Sequence, residues 1–167
     1  MNHTVTKPNN KALSLGEISP LPGKINSFTE QRDRKVASYQ GLVKQFEKAL
    51  AQDNLDPALE LADKADATER EVDTLTTQIK RCETELNSLI VEKLTDARVL
   101  FKRLGSSRNG QAEAAANYLL KAKEAQKAKD LTAALLQAHQ AITLLQSLAR
   151  NHVNSRLTHH RKKVSTF

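Results

Sequence analysis

The chain has 167 residues, 39% of them hydrophobic and 4% aromatic, with no Trp and one Cys. Lys and Arg number 26 against 19 Asp and Glu, which leaves a net charge of +7. This composition suits helices joined through Leu and Ala seams, suits β-sandwiches poorly because they draw on aromatic and β-branched residues, and excludes a disulfide scaffold.

Residues Met1 to Lys11 contain no apolar core of the kind a secretory leader needs. The longest uncharged stretch, Leu131 to Ala149, is interrupted by Gln, His, Thr and Ser, so a membrane span is not expected. The expectation is a soluble, cytoplasmic chain of all-α class. It would be a bundle of two αα-hairpins sharing one long coiled-coil-like central helix, with an arm over 1–26, a helical bundle over 27–157 and a basic tail over 158–167.

Residues 1–26 carry Pro8, Pro20 and Pro22 together with Gly16 and Gly23, which argues for an extended or disordered arm. The apolar Leu13, Leu15, Ile18, Leu21 and Ile25 argue that the arm docks in a groove, either of a partner or of its own bundle. Ser27 and Glu30 have the spacing of a capping box and predict a helix start at Ser27. Val36, Tyr39, Leu42, Val43, Phe46 and Leu50 then recur at helical spacing up to a stop near Gln52. After the turn at 53–57, Asp56 is placed to cap and Pro57 to open the next helix.

Between Pro57 and Leu104 there is no further Pro or Gly, which predicts a helix of 48 residues. Its seam of Ala58, Leu61, Ala65, Thr68, Val72, Leu75, Ile79, Cys82, Leu86 and Leu89 has heptad spacing. From Ile90 the apolar set becomes Ile90, Leu94, Ala97, Phe101 and Leu104. That shift of one position predicts a change of packing partner or of supercoil. Beyond a Gly-rich turn, an Ala-rich helix is expected from Gln111 to Lys129. A last helix, capped by Asp130, carries the stripe Leu131, Leu135, Ala138, Ile142, Leu145 and Leu148, with fraying expected from His159.

Two turn regions are alike. Residues 49–62 read ALAQDNLDPALELA and residues 125–138 read AQKAKDLTAALLQA, so that Leu55, Ala58, Leu59 and Ala62 match Leu131, Ala134, Leu135 and Ala138 at an offset of 76. The spacing resembles one helical pair of a tetratricopeptide repeat, without that family's period or its aromatics, and implies shared hairpin geometry.

Chemistry-bearing patterns are sparse. The five glycines are isolated, so no phosphate cradle is expected. Cys82 falls on the seam of the long helix and reads as a small buried hydrophobe. No two histidines have the i, i+4 spacing of metal ligands on one helical face. No catalytic residues, cofactor, metal or small-molecule substrate are therefore expected, and the chain reads as no enzyme.

Two features point to partners. The last helix has an uncharged polar side with His139, Gln140, Thr143 and Gln146, which costs less to desolvate than a charged one and reads as an interface. Beyond Asp130 the chain has no acidic side chain but holds Arg150, Arg156, Arg161, Lys162 and Lys163, which could meet phosphates or an acidic protein. The leading expectation is a non-enzymatic interaction protein: an adaptor, assembly or chaperone-like subunit that binds a protein partner or a second copy of itself. The alternative is a nucleic-acid-binding helical subunit using the basic segment.

Overall fold

The computed structural model describes residues 14–104 and 110–164, with side chains described as far as Ser155. The described residues form an all-α bundle of five packed helices: α1 (Leu15–Ile18), α2 (Leu21–Ala51), α3 (Leu55–Leu104), α4 (Gly110–Lys127) and α5 (Leu131–Val164). Residues 1–13 of the expected arm lie outside the described residues.

The start of the bundle differs from the reading of the sequence. Residues from Leu21 onward are already helical, so Ser27 sits inside α2, where its hydroxyl accepts a hydrogen bond from the Gln31 amide at 3.2 Å. The prolines open this helix instead of preventing it. Pro20 stands at its N-cap and Pro22 at the second helical position, where the missing N–H would have had no intrahelical partner. The buried Ser19 takes the capping role, its hydroxyl accepting the Leu21 N–H at 3.2 Å. One turn earlier the S-x-x-E pattern recurs at Ser14 and Glu17, and the Glu17 carboxylate accepts the Ser14 N–H at 2.5 Å. The apolar residues of this segment then have an evident use: Leu15, Ile18, Leu21 and Ile25 pack on the bundle core.

The turn into α3 also differs. The helix begins at Leu55, and the Ala58 N–H bonds to the Asn54 carbonyl, so Asp56 lies in the first turn instead of capping it. The α2 terminus is a Schellman motif: Asp53 adopts φ 56°, the Asn54 N–H reaches the Ala49 carbonyl and the Asp53 N–H that of Leu50. At an offset of 76 the same construction ends α4. Lys129 adopts φ 61°, the Asp130 N–H reaches the Ala125 carbonyl and the Lys129 N–H that of Gln126. Asp130 then caps α5 through Oδ1, which accepts the Ala133 N–H at 2.9 Å.

Each hairpin closes on small residues, Ala49 and Ala58 in the first, Ala115, Ala122, Ala134 and Ala141 in the second, all buried. Two apolar clusters join the hairpins. One gathers Leu86, Ile90 and Leu94 of α3, Ala122 of α4, and Ala134, Leu135 and Ala138 of α5. The next unites Ala97 with Ala115, Ala141, Ile142, Leu145 and Leu148. Residue numbers in α3 and α5 rise together through these clusters, so the two helices run parallel. The α3 residues buried in both clusters lie at Leu86 or beyond. Nearer the turn at 52–54, the buried positions of α3 are Ala58, Ala65, Ile79 and Cys82, facing α2.

At the other end α5 continues as helix through Val164. The boundary expected after residue 157 falls inside this helical span. From Asn151 to Ser155 every residue is exposed, so α5 has left the bundle by then.

Candidate functional site

The expected interface on α5 is divided by the structure. Thr143 and Gln146 are exposed, whereas His139 and Gln140 are half-buried. Thr143 hydrogen-bonds back to the His139 carbonyl at 3.0 Å, a helix-internal bond that a Thr on an exposed face readily makes. Its hydroxyl also stands 3.5 Å from Nε2 of His139. Burial, reinforced by the nearby Lys93 ammonium, holds His139 below the ordinary histidine value of 6.5. The oxygen of the Gln140 amide and Nδ1 of His139 are shut off from solvent without a hydrogen-bond partner among the described residues, as is the oxygen of Gln137. The polar side is thus an open strip at Thr143 and Gln146 with a partly covered edge at His139 and Gln140.

Of the basic set, Arg150 is exposed, with Nε 3.4 Å from the Gln146 carbonyl. Arg156, Arg161, Lys162 and Lys163 lie on the continuous helical backbone of α5, and their side chains fall outside the described residues.

Sequence reasoning missed the other end of the molecule. Around the α2–α3 turn, Leu50, Leu55 and Leu59 are 44%, 65% and 66% exposed. Asp53, Asp56 and Glu60 lie among them, and Asp63, Asp66, Glu69 and Asp73 continue along α3. The last four are exposed and form no ion pair among the described residues. The signal was available: Leu55 and Leu59 stand outside the seam that was read for the long helix.

Midway along the same hairpin is an open groove of about 580 Å³ between α2 and α3. Arg34, Lys35 and Arg70 line it with Glu71, whose carboxylate pairs with the Lys35 ammonium across the two helices. That pair is exposed and fastens the hairpin weakly. Cys82 is buried on the α2-facing side of α3, so its thiol is screened from reagents in solution. Among the described residues no helix is long and apolar enough to cross a membrane, and no three His, Cys, Asp or Glu side chains are grouped to hold a metal ion.

The class defined by this architecture is an all-α helical bundle. Compared with protein-family models, with curated proteins and with solved structures, the chain matches none.

Proposed function

We propose that the chain is a non-enzymatic interaction protein, an adaptor or assembly subunit that associates through helix faces in the cytoplasm. The observation that carries this reading is the exposure of Leu50, Leu55 and Leu59 around one turn. Isolated exposed leucines are ordinary, but three within ten residues at the tip of a hairpin form the kind of apolar surface that a partner covers. A projecting α5 at the opposite end adds a second contact surface, and the open strip at Thr143 and Gln146 a third. The test is the mass of the full chain recovered from its native source under gentle conditions. A defined assembly, of copies or with another protein in fixed ratio, is expected. A chain recovered as a bare monomer that shifts nucleic acid with a steep salt dependence would overturn the reading in favour of phosphate contact through Arg150 and the basic residues beyond it.

A further inference from the structure

The two hairpins offer an internal comparison that says what covers the exposed tip. At an offset of 76, Leu55 and Leu59 correspond to Leu131 and Leu135. In the second hairpin those leucines belong to a cluster with Leu86, Ile90 and Leu94 of a helix running parallel to α5, Leu135 fully buried and Leu131 partly buried. In the first hairpin the same face is bare. Further along it, where α5 has Ile142 and Leu145, α3 has Asp66 and Glu69. The missing helix must therefore present apolar residues first and cations after them.

One such helix exists in the chain. Val153 is 55% exposed, and positions 153, 157 and 161 hold Val, Leu and Arg at the i, i+4, i+8 spacing of Leu86, Ile90 and Leu94. Positions 55, 59 and 63 hold Leu, Leu and Asp at the same spacing. A parallel alignment matches apolar with apolar and opposes Arg161 to Asp63. Residues 149–164 have five basic and no acidic side chains, and the 16 residues 55–70 have five acidic and two basic. A given molecule cannot make this contact with itself. The α5 extension points away from the tip, and the two ends are separated by the full length of α3, about 75 Å, many times the screening distance of roughly 10 Å.

We propose that the leucine tip of the α2–α3 hairpin docks the projecting end of α5 from a second copy of this chain, deepening the interaction reading above by naming the partner. Because α5 is parallel to α3 within each copy and the docked helix is parallel to α3 of its neighbour, successive copies keep one direction. The contact is heterologous and open-ended, producing short head-to-tail strings in place of a closed dimer. One helix end on one hairpin buries little area, so the association is weak and favoured by low salt.

Sedimentation velocity of the full chain tests this. Mass should rise with concentration at low salt and fall back to the monomer at high salt. Leu55→Gln with Leu59→Gln, both exposed and so compatible with folding, should weaken association by about tenfold or more, with unchanged circular dichroism. Val153→Gln with Leu157→Gln should do the same. Mixing these two variants leaves one intact tip and one intact α5 end, and should give a heterodimer and nothing larger. Asp63→Lys and Arg161→Glu should each weaken association alone and restore it when combined in one chain. A parent that stays monomeric at every concentration and salt overturns the proposal, as does a Leu55→Gln, Leu59→Gln variant that associates like the parent. A monomeric parent found in fixed ratio with a different protein overturns this contact and leaves the interaction reading standing.

Discussion

Gly41 interrupts an otherwise regular α2, and a methyl group added to its Cα would meet nothing within 4 Å. Glycine in a helix interior gives the unfolded chain extra freedom without any packing return. Gly41→Ala should therefore stabilise the fold by about 1 kcal/mol, read as a rise of a few degrees in Tm. His139 behaves in the opposite sense with pH. The folded chain holds it below 6.5, by burial first and by Lys93 second. Protons thus bind more readily to the unfolded chain, and the stability present above 6.5 is lost as pH falls through that value toward the folded one. His139→Gln should flatten the part of the Tm-against-pH curve that lies just below neutrality; a variant as acid-sensitive as the parent would place the titration elsewhere. Gln140 is a poor position for a surface probe, because Gln140→Glu would bring charge to a partly covered edge. Thr143→Lys with Gln146→Glu tests the open strip without that complication.

Among the elements, the Schellman turns and the Asp130 cap set the hairpins. Asp130→Ala removes the acceptor for the Ala133 N–H and should cost about 1 kcal/mol by chemical denaturation. Much of the helical layout was legible because its signals are local. The apolar period fixed the long helix from Pro57 onward, Asp130 carried its cap in its side chain, and the repeated Leu-x-x-Ala-Leu-x-x-Ala of the two hairpins reported a common turn. The segment before Ser27 was misread because proline was weighed as a helix breaker, whereas at the first positions of a helix it is a good starter. Asp56 was misplaced because a capping side chain and a favourable first-turn carboxylate look the same in sequence. That Leu55 and Leu59 stand outside the seam was legible, but not that they stay exposed. Leu59 and its counterpart Leu135 have the same local sequence pattern, and what separates them is whether another helix lies alongside, which is a tertiary property.

At the scale of the whole molecule, stability should be uneven along the long axis. The α3 seam shifts at Leu89 and Ile90, one turn after Leu86, which already lies in the cluster with residues of α4 and α5. Ile90 is fully buried among residues of α3, α4 and α5, and Leu15, Ile18, Leu21 and Ile25 pack against the same cluster. Toward the 52–54 turn the core narrows to Ala58, Ala65, Ile79 and Cys82 against α2, with exposed ion pairs such as Lys35–Glu71 adding little. Local opening follows the density of buried apolar contacts, so the tip should open at lower free energy than the junction. Hydrogen exchange at neutral pH should show amides of residues 58–72 exchanging well ahead of those of residues 86–97 and 134–145. Two substitutions separate the regions. Ile90→Ala, in the junction, should cost about 3 kcal/mol and lower the protection of both hairpins together. Ile79→Asp would strand a carboxylate between α2 and α3, cost several kcal/mol locally, and release the tip while the 134–145 amides stay protected. Equal protection along α3, or a loss at 134–145 that matches the loss at the tip in Ile79→Asp, would mean that the bundle unfolds as one cooperative unit and that the narrow end draws its stability from the wide one.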